Sequence, residues 1–267
     1  MILKIKLIIF LLLFYGSAHA LNLPQEVMQG SLVIVQDNKA DQIIKDGVSI
    51  KLSKEGYYVF AVGRDRVDPI SITKILNDEV ISISEIKIIQ QDYEIQRIDG
   101  LPEQMVTPLD DDIIERIISE NEVIKEKKLI DSDHIFFVNQ FIIPAQGIIS
   151  GVFGSQRILN GKAKSPHRGL DIAAAEGEPV VATNDGIVIL AENDLYYTGG
   201  TIMIEHGHGV KSIYAHMSSV DVKVDEIVLK NQRIGAVGST GRSTGPHLHW
   251  GVMLLNTYVD PALLIKN

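Results

Sequence analysis

The chain has 267 residues and no cysteine. This absence excludes disulfide bonds, thiolate metal ligands and a lipid anchor attached to an N-terminal cysteine. Any tightly bound metal ion must therefore be held by histidine, aspartate or glutamate side chains.

Positive charge is also scarce. The sequence has 25 Lys and Arg against 34 Asp and Glu, and its formal net charge is −9. A nucleic-acid-binding protein needs a basic face, so the composition predicts no nucleic-acid partner. The same acidity disfavours steering of an anionic polymer toward the protein by its overall field.

Long apolar runs are absent after residue 20, so no later segment is predicted to cross a bilayer. At the N-terminus, Lys4 and Lys6 precede an apolar core at residues 7–14. The triplet Ala18-His19-Ala20 then has the small-x-small form of a signal-peptidase site. We predict a signal peptide at residues 1–20 and an exported protein with no stable membrane insertion. An uncleaved N-terminal anchor is the alternative.

Residues 21–106 are predicted to form a small β-sandwich-like domain. Segments rich in β-branched and aromatic residues occur at 31–36, 48–52, 57–62 and 86–98, and pairs such as Asp46-Gly47 and Glu55-Gly56 separate them. The region contains no group of reactive side chains. We therefore expect a structural or binding role for it.

Residues 107–140 are predicted to be a helical connector. Thr107 is the expected N-cap, Pro108 is expected at the first helical position, and lysines cluster near the helix end. Isoleucines recur at helical spacing at positions 113, 114, 117, 118 and 124. The helix is expected to pack one face on a neighbouring domain, and His134 is expected to be a solvated loop residue.

Residues 141–267 are predicted to form a second β-rich domain, with strands near 180–182, 186–191, 201–205, 211–216 and 227–229. The triplet His247-Leu248-His249 is its most informative feature. On a strand, residues at i and i+2 project from the same face, so both imidazoles would lie together. Alternation in residues 211–217 likewise groups Ser212, Tyr214 and His216 on one face, and predicts for His216 the same presentation.

A second candidate group is His167-Arg168-Gly169-Leu170-Asp171. Pro166 and Gly169 favour an extended or looped segment over a helix, and in either form the histidine and the aspartate can converge on one ion. Two imidazoles and one carboxylate, with no thiolate, suit Zn²⁺ better than Ca²⁺ or Mg²⁺, which prefer oxygen ligands. Each of these short motifs is weak evidence when taken alone.

From residue 141 to about 260 the chain resembles the lysostaphin-type zinc endopeptidases, which cut peptidoglycan cross-bridges. The resemblance rests on four blocks in the same order along the chain. They are Gly151-Val152-Phe153-Gly154, His167-Arg168-Gly169-Leu170-Asp171, Tyr214-Ala215-His216 and residues 238–249, which end in His247-Leu248-His249. The resemblance implies that His167, Asp171 and His249 bind one zinc ion and that His216 and His247 are catalytic without binding it.

The expected fold class is mainly β. An antiparallel-sheet catalytic domain at residues 141–267 is preceded by the small β-sandwich-like domain and the connecting helix. The expected function is an exported, periplasmic zinc metalloendopeptidase that hydrolyses peptidoglycan stem-peptide cross-links through a zinc-activated water. One catalytic histidine would orient or deprotonate that water and the other would stabilise the oxyanion, and the sequence does not assign which does which.

Two other functions are weighed against this one. A non-catalytic activator of other cell-wall hydrolases could share the fold, but this chain keeps all three ligands and both catalytic histidines. A D-Ala-D-Ala carboxypeptidase would need a glutamate shortly before the last ligand, and no acidic residue stands between Glu226 and His249.

Remaining conspicuous residues are given lesser roles. His206 and His208 are predicted to belong to a turn between strands. The N-terminal domain is expected either to cover the groove in part or to help dock the enzyme on the wall. The residues expected near the groove are Arg157, Asn160, Gly161, Tyr196 and Tyr197.

Overall fold

The structure is a computed structural model that describes residues 22–100 and 110–265. The predicted signal peptide at residues 1–20 lies outside the described residues, as do Thr107 and Pro108. The described part of the chain is mainly β, which confirms the predicted fold class.

The N-terminal part of the chain contains eight described strands: β1 Glu26–Met28, β2 Leu32–Gln36, β3 Gln42–Lys45, β4 Val48–Ile50, β5 Tyr57–Ala61, β6 Ile70–Leu76, β7 Glu79–Ile89 and β8 Ile95–Ile98. Five of them form one sheet in the order β1-β7-β6-β3-β4, and β2 pairs with β5. Their apolar side chains form one core, with Val35 and Phe60 from the β2–β5 pair packed with Ile43, Ile72 and Ile86 from the larger sheet. This packing is sandwich-like.

Two tight turns set the register of the larger sheet. Asp46 and Gly47 connect β3 to β4, and Asn77 and Asp78 connect β6 to β7; all four have positive φ angles. Two-residue hairpins favour this backbone because its twist matches that of the flanking strands. The second turn connects two strands that the sequence analysis did not distinguish. It predicted no strand at the position of β6, and its segment 86–98 joined the end of β7 to β8.

The β2–β5 pair has apolar side chains on both faces. Tyr58 and Phe60 point into the N-terminal core, whereas Val59 belongs to the core of the C-terminal part. Tyr57 and Ala61 pack against that same C-terminal core. Because side chains alternate along a strand, one short ribbon joins the two halves through continuous apolar packing.

The connecting helix α1 spans Asp111–Lys128. Its N-cap is Asp110, whose side chain accepts hydrogen bonds from the backbone N–H groups of Asp112 and Ile113, so the prediction of Thr107 as N-cap was wrong. An aspartate satisfies the exposed N–H groups as well as a threonine does, and the sequence does not rank the two. Only one stripe of α1 is half-buried, and Ile118 is 58% exposed. Within the described residues, no helix combines the length and the apolarity needed to span a membrane.

The C-terminal part contains a 3-10 turn at Phe136–Val138 and a short helix α2 at Ala262–Ile265. Its strands are β9 Ile148–Gly151, β10 Gln156–Leu159, β11 Lys162–Ala163, β12 Leu170–Ala173, β13 Pro179–Val181, β14 Gly186–Leu195, β15 Gly199–Glu205, β16 Val210–Val220, β17 Ile227–Val228, β18 Arg233–Val237, β19 His247–Leu254 and β20 Thr257–Val259. The main sheet runs in the order β17-β14-β15-β16-β19-β12-β9, with antiparallel pairing throughout. Its core includes the fully buried side chains of Tyr214 and Trp250, which lie opposite each other on β16 and β19.

A smaller sheet joins the two halves beside the main sheet. Strand β8, from the N-terminal part, pairs in parallel with β10, and β10 pairs antiparallel with β11. The N-terminal part of the chain therefore contributes a strand to the C-terminal part and also packs on its core.

His206 lies in the turn between β15 and β16, as predicted, and its side chain is fully buried. Its Nδ1 donates a hydrogen bond to the carbonyl oxygen of Asp185 at 2.6 Å, and its Nε2 lies 2.8 Å from the hydroxyl of Ser212. His208 follows in the same turn and is also buried. His134 is exposed and stacks on Phe136.

The free energy of unfolding is expected to fall between pH 7.5 and pH 5, in part because of His206. Burial lowers the pKa of His206 to about 4, whereas a histidine in an unfolded chain titrates near pH 6.5. Between these pH values the unfolded state binds more protons than the folded state, so the free energy of unfolding rises with pH. At pH 5 the buried His206 lowers the free energy of unfolding by about 2 kcal/mol. The free energy of unfolding, measured with urea at pH 7.5 and at pH 5, should differ less between the two pH values for His206→Gln than for the parent. His134→Gln is the control. A change in the free energy of unfolding between the two pH values that is as large in His206→Gln as in the parent would contradict this prediction.

Candidate metal centre and cleft

The pairing of β12 with β19 brings two candidate ligands together. Asp171 lies directly opposite His249 in this antiparallel pair. Side chains opposite each other on one face of a sheet have Cβ atoms roughly 5 Å apart. The register of two neighbouring strands therefore sets the distance between a carboxylate and an imidazole that are 78 residues apart in sequence.

His167 reaches the same point from an irregular segment just before β12, in agreement with the predicted extended or looped segment. Its backbone N–H donates to the carbonyl oxygen of Ser155, and its carbonyl oxygen accepts from the N–H of Gly154, each at 2.9 Å. The ring Nδ1 donates to the carbonyl oxygen of Val152 at 2.9 Å. Because a carbonyl oxygen only accepts, this contact places the proton on Nδ1 and leaves the Nε2 lone pair facing Asp171 and His249.

Three potential ligand atoms form a nearly equilateral triangle. His167 Nε2 lies 2.9 Å from Asp171 Oδ1 and 3.0 Å from His249 Nδ1, and the last two atoms are 2.8 Å apart. Ligands at about 2 Å from a tetrahedral ion are roughly 3.3 Å apart. Three acceptor atoms that face one another suit a shared cation, so the donor set fits a metal ion.

The carboxylate of Asp171 has different partners on its two oxygens. Oδ1 faces the two imidazoles, and Oδ2 accepts a hydrogen bond from Arg157 Nη2 at 2.9 Å. Burial opposes ionisation of Asp171, but the contacts with His167 and His249 outweigh it and hold its pKa well below the ordinary range. Asp171 is therefore an anion at any ordinary pH, oriented by Arg157.

Two glycines allow the chain segments to approach this closely. A Cβ on Gly151 would lie 2.5 Å from Asp171 Oδ2, and a Cβ on Gly169 would lie 2.3 Å from the carbonyl oxygen of Trp250. Both glycines belong to sequence blocks that also contain or neighbour the candidate ligands. Their role is to leave room for the carboxylate and for the pairing of β12 with β19.

His216 reaches the cluster by a route that the alternation of its strand does not predict. Tyr214 lies opposite Trp250 on the core face of the sheet, and regular alternation would place His216 on that same face. A β-bulge on β16 inserts one extra residue before Met217, and His216 has a φ of +64°. The bulge turns the imidazole toward His247 and His249, whose rings lie 4.7 and 6.3 Å from it, centroid to centroid. The sequence analysis used strand alternation to predict that His216 is presented like His247 and His249. That reasoning was wrong, because a β-bulge interrupts the two-residue period of the strand.

The rings of His216 and His247 are oriented in the same way. Nδ1 of His216 donates to the carbonyl oxygen of Thr240 at 2.9 Å, and Nδ1 of His247 donates to that of Gly245 at 2.8 Å. Nε2 of His247 lies 4.0 Å from Asp171 Oδ1, whereas His167 Nε2 and His249 Nδ1 lie 2.9 and 2.8 Å from the same oxygen. The fixed Nδ1 protons leave Nε2 as the acceptor on each neutral ring.

Burial favours the neutral form of two imidazoles in the cluster, those of His216 and His249. It lowers the pKa of His216 to about 4, helped by the nearby His247 and His249. Burial likewise lowers the pKa of His249, although Asp171 opposes the shift. Neutral imidazoles are the form that binds metal ions and accepts protons.

A cleft of about 630 Å³ opens beside the cluster, with Asp171 and His247 in its lining. Of the residues expected near the groove, Arg157 and Tyr197 line the cleft, whereas Asn160 and Gly161 do not; Tyr196 packs on Tyr197. Sequence reasoning missed several lining residues, among them Gln96, Ser150, Lys164 and Arg242. Gln96 belongs to β8, so the N-terminal part of the chain reaches the edge of the cleft. Arg242 lies inside the recognised block at residues 238–249, and Lys164 lies three residues before the block that begins at His167. Those positions were the available signal.

Comparison with known proteins agrees with this geometry. Residues 165–261 match the model of peptidase family M23. Peptidoglycan DD-endopeptidase ShyA of Vibrio cholerae is 41% identical over 93 residues, which are 35% of this chain and 21% of that protein. The DD-carboxypeptidase/endopeptidase Mpg of Neisseria meningitidis is 42% identical over 95 residues, 36% of this chain and 22% of that protein. The chain thus aligns with about a fifth of the length of these relatives.

A solved structure extends the similarity to the N-terminal part. The crystal structure of a putative peptidase M23 from Pseudomonas aeruginosa superposes with a TM-score of 0.65 and 26% identity, covering 92% of this chain and 96% of that chain. The matched region 165–261 contains all three atoms of the triangle, together with His216 and His247. Residues 165–261 of this chain therefore form a domain of the lysostaphin-type peptidase family M23.

Proposed function

We propose that the chain is an exported zinc metalloendopeptidase that hydrolyses peptide cross-links of bacterial peptidoglycan. The observation that carries the proposal is the triangle of His167, Asp171 and His249 with two further imidazoles beside it. The names of the similar proteins ShyA and Mpg support a peptidase acting on peptidoglycan. Each of them matches only about a third of this chain.

We assign the binding of one metal ion to His167 Nε2, Asp171 Oδ1 and His249 Nδ1. Two nitrogens and one oxygen, with no sulfur available, are a typical ligand set for catalytic Zn²⁺. When bound, zinc would polarise the scissile carbonyl and lower the pKa of a water molecule from about 16 to roughly 7. Arg157 holds Oδ2 of Asp171, so that Oδ1 is kept toward the two imidazoles.

We assign proton transfer to His216 and His247. Both rings keep Nε2 as an acceptor because a backbone carbonyl oxygen holds each Nδ1 proton. Either ring can take a proton from the attacking water and return it to the leaving amine. The imidazolium formed in the first step would also stabilise negative charge on the former carbonyl oxygen. We therefore assign these two roles to the pair, with no division between its members.

We also propose the following division of the chain: a signal peptide at residues 1–20, a β-rich N-terminal domain at 21–106, a helical connector at 107–140 and the peptidase domain at 141–267. Action on peptidoglycan requires export, in agreement with the small-x-small sequence at Ala18-His19-Ala20. The periplasm is the proposed location.

A non-catalytic activator of other hydrolases is the second candidate function. An activator does not need its metal ligands, yet this chain keeps a complete ligand set and two oriented imidazoles. The catalytic function is the better supported of the two for this reason.

Two histidine variants test the catalytic proposal. His249→Ala is expected to lose bound zinc, measured by inductively coupled plasma mass spectrometry. His247→Ala is expected to keep zinc but to release muropeptides from purified peptidoglycan at least ~100-fold more slowly, because general acid–base help is lost. His134→Ala, at an exposed histidine outside the cluster, is the control. Cleavage by zinc-loaded His247→Ala at the parental rate would refute its assigned role.

Replacement of Arg157 tests how Asp171 is held. Arg157→Gln is expected to weaken zinc binding by about 10–100-fold, because partners that orient a ligand have effects of this size. Competition with a chromophoric chelator measures the zinc Kd, and circular dichroism checks the fold. Arg233→Gln removes the same charge from an exposed site that pairs with Asp221, and should bind zinc like the parent. Unchanged affinity in Arg157→Gln would show that Asp171 needs no such support.

A further inference from the structure

The turn between β9 and β10 holds His167 through three backbone contacts. The Nδ1 proton of His167 goes to the carbonyl oxygen of Val152 at 2.9 Å. The backbone N–H and carbonyl oxygen of His167 bond to Ser155 and Gly154, also at 2.9 Å. His167 itself lies on no strand. Its place in the cluster therefore depends on residues 152–155, hereafter the 152–155 turn.

The N-terminal part of the chain contacts this turn through Arg64, which lies between β5 and β6. Arg64 Nε donates a hydrogen bond to the carbonyl oxygen of Gly154 at 2.7 Å. The N–H of the same glycine donates to the carbonyl oxygen of His167. The two backbone groups of Gly154 thus connect Arg64 with a proposed metal ligand.

Tyr93, which lies between β7 and β8, packs against the same glycine. A Cβ on Gly154 would lie 2.1 Å from Tyr93 Cδ1, and Gly154 has a φ of +83°. Glycine is the residue that tolerates both this backbone conformation and so close a ring. The ring of Tyr93 also meets that of Phe153 edge to face, with centroids 6.3 Å apart. Tyr93 therefore restricts the movement of the 152–155 turn.

Arg64 and Tyr93 also hold each other in place. Cζ of Arg64 lies 4.3 Å from the centroid of the Tyr93 ring. Stacking of this kind uses the face of a guanidinium and leaves the N–H groups along its edge able to donate. Of these groups, Nη1 pairs with Asp65 and Nε donates to Gly154. The guanidinium is thus held on its face and on its edge.

The two parts of the chain are also joined by contacts that do not use the side chain of Arg64. The β2–β5 pair packs on the C-terminal core through Val59, and β8 pairs with β10. Loss of the Arg64 side chain is therefore expected to loosen the 152–155 turn without separating the two parts.

We propose that Arg64 and Tyr93 are positioning residues for His167, so that the N-terminal part of the chain supports the metal centre through Gly154. This inference rests on the proposed function. A ligand that is held in place before the metal ion binds loses less conformational freedom on binding, so this support raises metal affinity. The role differs from covering the groove and from docking on the wall.

The test measures the zinc Kd of the full chain by competition with a chromophoric chelator. Arg64→Gln is expected to raise the Kd about tenfold, because a charge-assisted hydrogen bond to the turn is lost. Tyr93→Leu is expected to raise it by a similar factor, because the ring against Gly154 is lost. Tyr93→Phe should bind zinc like the parent, since it keeps the ring. The hydroxyl that it removes is buried and has no hydrogen-bond partner among the described residues.

Two control variants separate positioning from general stability. Arg66→Gln removes the same charge from the same loop, but the side chain of Arg66 bonds to three groups of the N-terminal part. Tyr58→Leu removes a fully buried ring from the N-terminal core and should lower the free energy of unfolding. Both controls should bind zinc like the parent. A rise in Kd as large in Arg66→Gln as in Arg64→Gln, or as large in Tyr58→Leu as in Tyr93→Leu, would overturn the inference.

The ring proton of His167 gives a second readout that does not depend on activity. This Nδ1 proton bonds to Val152, so its exchange with water reports how firmly the turn holds the ring. In isotope-labelled, zinc-loaded protein, NMR should show faster exchange in Arg64→Gln than in the parent and unchanged exchange in Arg66→Gln. Equal exchange in all three proteins would overturn the inference.

Separate outcomes decide the inference and the proposed function. If the parent binds zinc and Arg64→Gln and Tyr93→Leu bind it equally well, the inference is overturned and the proposed function is unaffected. If the parent does not bind zinc, the proposed function fails, and exchange of the His167 proton in the metal-free protein then decides the inference. Faster exchange in Arg64→Gln but not in Arg66→Gln supports the inference, and equal exchange overturns it.

Discussion

The antiparallel pairing of β12 with β19 is the constraint on which the site depends. It places Asp171 opposite His249, and the loop before β12 brings His167 to the same point. The strands are held by the buried core on the other face of the sheet, where Trp250 lies opposite both Leu170 and Tyr214. A slip of one residue would turn every side chain of β19 to the opposite face. The geometry of the proposed metal ligands is thus fixed by the packing of the core.

The cluster is surrounded by groups that fix ring orientation and charge. Backbone carbonyl oxygens of Val152, Thr240 and Gly245 each accept an Nδ1 proton, so three imidazoles present Nε2 toward the centre. Arg157 orients the carboxylate of Asp171 from the far side. Most of these partners lie on loops, whereas Asp171 and His249 lie on paired strands. The paired strands therefore carry two of the proposed ligands, and the loops carry most of the groups that orient the side chains of the cluster.

The sequence predicted the β class, the strand at His247 and the approximate location of the connecting helix, because these depend on local patterns of residues. It did not predict how His216 reaches the cluster, since the bulge on β16 depends on pairing with β15 and not on the alternation of apolar residues. It also did not predict the parallel pairing of β8 with β10, or the pairing of Arg157 with Asp171. Contacts between distant segments leave no periodic signal in either strand. His167, Asp171 and His249 were grouped as candidate ligands from the order of the motif blocks along the chain, because periodicity alone does not connect these residues.

We propose that two imidazoles and one carboxylate hold a single zinc ion on which hydrolysis depends. The most direct measurement follows zinc content and muropeptide release on the same samples during titration with a chelator. Zinc content and muropeptide release are expected to fall together, and one equivalent of Zn²⁺ per chain is expected to restore both. Full hydrolysis by the metal-free protein would contradict it.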